Sequence, residues 1–240
     1  MFPYDPVILG VVRKSPQSIA DVIQTIQNIE ATCVDADGLK WFNWLYLQVT
    51  QAVEARVASG AFTNGPWLAD LDVQFARLYF VALEAALSGQ PTPSCWQALF
   101  DHRDQTAVAR IQFALAGINA HINHDLPEAI VATCQITTTF PQRGGAQYDD
   151  YTALNPILDG LIDLAKRELH VRLLGDPLPP VSHVEGMIAA WSVGAAREAA
   201  WHNAQLLWHL RPTPPLASSF MDTLDGLTTV AGKALLVPVC

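Results

Sequence analysis

Charge is scarce in this sequence: only 15% of its residues are Asp, Glu, Lys or Arg, and 14 basic residues face 23 acidic ones, for a net charge of -9. No basic stripe interrupts that deficit. Binding to a nucleic-acid backbone works through clustered Lys and Arg that displace counterions, so nucleic acid is excluded as the expected partner. Docking on an anionic membrane surface is disfavoured for the same reason. The low charge and the 50% hydrophobic content also exclude a disordered chain.

Cysteine is sparse as well. Cys33, Cys95, Cys134 and Cys240 lie far apart with no Cys-x-x-Cys pair, which argues against a disulfide framework or a thiolate zinc knuckle. Reduced thiols are expected. Cys240 is not four residues from the end, so prenylation is not implied. The start, Met1-Phe2-Pro3-Tyr4-Asp5-Pro6, has no basic region followed by an apolar run, and no long clean apolar stretch suits a bilayer. A cytoplasmic protein acting on a small molecule is the expectation. Gly-x-Ser-x-Gly, Gly-x-Gly-x-x-Gly and Walker motifs are all missing, and no strand pattern of period two or internal repeat is found.

What is present is helical periodicity. Ser15-Pro16 reads as an N-cap with proline in the first turn of a helix over about 16–33, and Asp37-Gly38 opens a second that Gly60 stops. Further helices are expected over 67–87, 104–125, 149–174 (kinked at Pro156), 183–211 and 216–235, with short pieces at Trp96 and after Pro127. Residues 139–148, around Gly144-Gly145, form the longest candidate loop, with the character of a lid or a connector. The prediction is an all-α, irregular bundle of about seven to nine helices around a single core, one domain over 1–240.

Two helices carry the unusual polar residues. In Gly117-Ile118-Asn119-Ala120-His121-Ile122-Asn123-His124-Asp125-Leu126-Pro127, helical spacing puts His121, His124 and Asp125 roughly on one face, downstream of an apolar run. One reading is structural: the histidines bond backbone at a helix end, and Asp125 caps the helix that Pro127 begins. The other is a first-row metal site, because His and Asp four apart chelate one ion and imidazole suits zinc or iron.

The second helix, Trp191 to Asn203, holds Glu198 and His202 four apart, continued by Gln205 and His209, among Ala, Leu and Trp. Buried all round, it would bring Glu198 and His202 to His121 and Asp125 as four metal ligands, with His124 as a further ligand or acid/base. The alternative is a structural network of Arg197, Glu198 and His202. Arg77, with Gln74 and Glu84 on a third stripe, is a candidate catalytic group, as counter-ion to Glu198 or Asp125 or as a bidentate ligand for a substrate carboxylate or phosphate. Asn119, Asn123, Arg197 and Trp201 are candidate substrate contacts. Asp149-Asp150 reads as solvated loop charge, His102, His170 and His183 as surface, and the seven Trp as core.

The run Asn119-Ala120-His121-Ile122-Asn123-His124-Asp125-Leu126-Pro127 resembles the core of a bacterial and fungal family known only as a domain of unknown function. The similarity extends to Gly60-Ala61-Phe62, Phe75 to Tyr79 and the Trp191–Trp201 helix. It implies no activity. A fainter similarity, to the helical zinc phospholipase C and single-strand nuclease group, rests on the His121 to Asp125 spacing. Glu198 to His202 reverses that group's second pair, and its N-terminal Trp ligand has no counterpart in Met1-Phe2. Three functions stay open: a metal-dependent hydrolase or oxygenase with zinc or iron, a metal-free cyclase or binding protein with an aromatic-lined pocket, and a purely structural interaction module with an exposed apolar patch.

Overall fold

The computed structural model describes residues 2–178, 186 and 191–238. It is all-α among those residues, with two isolated bridges and no strand. The chain runs through α1 (Asp5–Val12), α2 (Ile19–Thr32), α3 (Gly38–Ala58), α4 (Gly65–Leu87), α5 (Ser94–His102) and α6 (Arg110–Ala120). A wide π turn (His121–Asp125) joins α6 to α7 (Leu126–Ile136), and α8 (Ala146–Ala153), α9 (Asn155–Glu168), α10 (Val193–Leu210) and α11 (Pro214–Leu235) follow. One continuous apolar core reaches from Ile8 to Leu236. No helix among the described residues is long and apolar enough to cross a membrane.

Several boundaries differ from the sequence reading, each for a local reason. The Pro16 carbonyl is taken by Arg77, and Ser18 caps α2 instead, its hydroxyl accepting the Asp21 N–H. The expected 104–125 helix begins only at Arg110 and the expected 149–174 helix ends at Glu168, because these two stretches pair with each other. Arg110 N–H donates to Val171, Ile111 to Leu169, and Leu173 to Val108, which satisfies orphan donors at the start of α6. Pro156 divides α8 from α9, sitting in the first turn of the latter. Ser192 caps α10, its hydroxyl accepting the Ala195 N–H; His183 and most of the residues up to 190 lie outside the described set.

Helix α3 lies at the centre, with α2 and α6 packed on it. Two glycines set how closely α3 and α6 approach. A Cβ on Gly117 would overlap the Phe42 ring, and one on Gly38 would overlap the ring of Phe113. Each helix therefore presses a phenyl ring onto the other's bare backbone. That contact fixes the face of α6 on which His121 leaves the helix.

The N-terminal end is tied by a buried ion network that sequence spacing does not reveal. Arg103 Nε donates to Asp37 Oδ1 at 2.9 Å, its Nη1 lies 3.0 Å from Asp5, and Tyr4 Oη donates to Asp37 Oδ2 at 2.9 Å. Asp37 also caps α3, accepting the Leu39 N–H. Asp150 has a similar role. Expected as solvated charge, it is buried on α8 and accepts the N–H groups of Thr63 and Asn64 at the head of α4.

Candidate functional site

Proline at 127 explains the π turn. It has no N–H to donate to the Asn123 carbonyl, and its ring crowds that carbonyl, so the helix widens. The Leu126 N–H reaches back five residues to His121 instead. Such wide turns within helices are frequent at functional positions. The consequence here is that one carboxylate serves two imidazoles: His121 Nδ1 lies 2.8 Å from Asp125 Oδ2, and His124 Nδ1 lies 2.7 Å from Asp125 Oδ1. Trp96, from α5, donates its indole N–H to Asp125 Oδ2 at 2.9 Å.

The three titratable groups take different states. Burial pushes the Asp125 carboxyl up, but the hydrogen bonds from both histidines outweigh burial and hold it below the usual carboxylate range. Burial dominates at His121 and lowers its pKa against the pull of Asp125, so the ring is neutral. At His124 burial is outweighed by the bond and charge of Asp125 together with Asp225 and Glu128, and its pKa is raised. With Nδ1 facing a carboxylate, the neutral His121 ring carries its proton there and presents a lone pair at Nε2.

That Nε2 is buried and has no hydrogen-bond partner among the described residues. The ring is held in an aromatic cage: Phe75 stacks on it with centroids 3.4 Å apart, and Tyr46 and Trp96 meet it edge-on at 4.8 and 5.7 Å. It forms part of the wall of a cavity of about 40 Å³ with Tyr46, Phe75, Ile122, Leu158 and Arg197. A second cavity of about 50 Å³ shares Tyr46, Phe75, Leu158 and Arg197 and adds Asp72. Tyr46 Oη and Asp72 Oδ2 are likewise buried without a partner among those residues. Burial, with some repulsion from Glu54, raises the Asp72 carboxyl to about 7, and burial raises the Tyr46 phenol well above its ordinary value.

The structure joins only part of the expected site. His121, His124 and Asp125 come together, whereas the other half of the expected four-ligand metal set lies elsewhere. Glu198 is bound to Arg143 and to the Tyr148 hydroxyl, which ties α10 to the loop before α8 and to α8 itself; the expected 139–148 loop ends at Gly145, after which α8 begins. His202 is exposed. Arg77 donates through Nε and Nη2 to the Pro16 carbonyl, which anchors a turn, and it lines neither of the two cavities.

Asn119 donates to the Thr228 carbonyl of α11 and accepts from Asn123, so this pair clamps two helices together. Trp201 is fully buried against Trp67, Tyr148 and Tyr151 and does not line either cavity. Arg197 does line both, although its Nε and Nη2 are bonded to Asn155 and to the Tyr151 carbonyl. Sequence reasoning gave no site role to Tyr46, Asp72, Phe75 or Trp96. They sit on apolar helix faces with nothing local to mark them, and only the packing of α3, α4 and α5 brings them to His121.

Residues 19–238 match the family of unknown function DUF5995. The chain belongs to that family. Compared with curated proteins and with solved structures, it has no match. The family extends over the whole constellation just described, from α2 to the end of α11, and its description assigns no reaction to it.

Proposed function

We propose that this protein binds a small, uncharged, largely apolar molecule in the paired cavities and that His121, oriented by Asp125, accepts a proton or hydrogen bond from it. One observation carries the reading. Three buried polar atoms without partners among the described residues, His121 Nε2, Tyr46 Oη and Asp72 Oδ2, belong to the walls of the same two adjoining cavities. A buried polar group left unpaired costs roughly 1–3 kcal/mol, and three gathered in one place is a cost that a ligand with matching polar atoms would offset. Each cavity exceeds the ~10–15 Å³ that a single water requires, so the space suits a compact molecule.

The chemistry follows from the states of the groups. Neutral His121, its other nitrogen fixed on an anionic carboxylate, has the arrangement of a general base. The Tyr46 hydroxyl and, below about pH 7, the protonated Asp72 carboxyl supply donors on the far wall, where developing negative charge on a ligand oxygen would be stabilised. Apart from Arg197, the remaining walls are aromatic and aliphatic. This is the metal-free alternative of the sequence reading, with a different set of polar contacts.

Ethanol, acetamide and pyrazole are compact O–H or N–H donors suited to test it. Titrated into protein labelled with ¹⁵N-histidine, at least one should move the His121 Nε2 resonance saturably, and Tyr46→Phe should weaken that binding. An Nε2 resonance that stays fixed with all three would sink the proposal.

A further inference from the structure

On the opposite side of Asp125 a second group of side chains converges. Cys95 in the first turn of α5, His124 in the π turn and Asp225 in the middle of α11 each offer a ligand atom, and these atoms lie within 4.8 Å of one another. They come from three helices separated widely in sequence. Asp225 is positioned by the backbone: its two oxygens accept the N–H groups of Ser94 and Cys95 at 2.9 and 2.8 Å. His124 is positioned by Asp125, which engages Nδ1 and leaves Nε2 as the nitrogen available to a ligand. A histidine whose second nitrogen is held by a carboxylate is the usual arrangement behind a metal-bound imidazole.

Helix capping accounts for Asp225, and a thiol hydrogen bond to Asp225 accounts for Cys95. Neither accounts for His124, a buried ring set among Asp125, Asp225 and Glu128. Three carboxylates around one imidazole make a strongly negative spot, and among the described residues no Lys or Arg is paired to any of them. Without a metal, a protonated His124 is the one positive charge among them, and a divalent cation would balance the carboxylates more fully. The ligand types are one thiol, one imidazole and one carboxylate, a set suited to a borderline divalent ion in tetrahedral geometry.

We propose that Cys95, His124 and Asp225 bind a single zinc-type divalent cation, with water as the fourth ligand. Bonds of about 2.0–2.3 Å in a tetrahedron place ligand atoms roughly 3.3–3.8 Å apart, so the present cluster needs to contract by about 1 Å. Side-chain rotation covers that distance. Binding is balanced by proton release: the Cys95 S–H bond breaks as the sulfur–metal bond forms, a protonated His124 gives up its Nε2 proton as the nitrogen–metal bond forms, and both protons leave to solvent. Asp225 is only partly buried, which leaves the fourth position a route to water.

A groove of about 330 Å³ begins one turn away on both flanking helices, at Glu128 after His124 and at Met221 before Asp225. It gives the ion and any larger ligand an approach to the site. The metal site is separate from the cavity of His121, since Asp125 meets His124 with Oδ1 and His121 with Oδ2. Loss of either proposal therefore leaves the other standing.

Cobalt(II) tests the site, because a thiolate ligand gives it a strong charge-transfer absorption. Full-length untagged protein, stripped with chelator and titrated with cobalt(II) chloride, should take up one equivalent with that band. Cys95→Ser should lose the band and at least tenfold in affinity, while Cys240→Ser should behave as wild type. X-ray absorption of the wild-type cobalt form should find one sulfur per metal, and it decides the matter even if Cys95→Ser fails to fold. No saturable band in the wild type, a band that survives Cys95→Ser, or purely nitrogen and oxygen ligation would overturn the proposal.

Discussion

Replacing Asp72 by asparagine should make the protein more stable, and increasingly so as the pH rises. Asp72 is buried on α4 with one carboxylate oxygen unpartnered, and its pKa stands at about 7 against 3.8 for the free side chain. Between those values the native state keeps a proton that the unfolded chain has released. Stability therefore falls as pH rises from about 4 to 7 and levels off above about 7, once the native carboxyl has ionised and both states bind the same number of protons. The full difference corresponds to about 4 kcal/mol at 1.36 kcal/mol per pKa unit, of which roughly 2–3 kcal/mol falls between pH 5 and pH 8. Asparagine keeps the shape and one oxygen but cannot ionise. Urea denaturation of both proteins at pH 5, 6, 7 and 8 isolates the effect, because every other titrating group is common to the two. The expected result is an advantage for the Asp72→Asn protein that grows by roughly 2–3 kcal/mol across the series. A difference that stays constant with pH would refute the reasoning, and with it the assignment of a protonated acid to the cavity wall.

Arg103→Met should destabilise by about 3–5 kcal/mol, because it leaves Asp5 and Asp37 as buried carboxylates without their cation; chemical denaturation reads it directly. Gly117→Ala should lower the thermal midpoint even though alanine is the better helix former by about 1 kcal/mol, since its Cβ would overlap the Phe42 ring. Overpacking of that kind costs about 1–3 kcal/mol, and a stabilised variant would show that α3 and α6 can separate freely.

The helical architecture was legible because each helix repeats an apolar face and ends at proline, glycine or a capping side chain. The pairing of His121 with Asp125 was legible for the same reason, being a matter of positions four apart on one turn. What Pro127 does to that turn was not legible: the proline reads equally well as the start of a new helix, and only the structure shows the wide turn that lets Asp125 reach both imidazoles. Glu198 and His202 illustrate the converse limit. Spacing shows that they share a face of α10, but the direction of that face depends on packing, and Trp201, Ala204 and Leu207 turn inward while His202 meets solvent. Tyr46, Asp72 and Trp96 come to the site from three other helices, and Cys95 and Asp225 to theirs from two, so no window of sequence contains either arrangement.

The central claim is that His121 is a neutral imidazole whose Nδ1 proton is held by Asp125 and whose Nε2 carries an unused lone pair. Two-dimensional ¹⁵N–¹H spectra of the histidine side chains at neutral pH measure it without reference to any ligand. The expected result is a protonated His121 Nδ1 and an Nε2 with the shift of an unprotonated, pyridine-type nitrogen. A protonated Nε2 would contradict it, since the ring would then be either a cation or the opposite tautomer, and in neither form could it serve as a base toward the cavity.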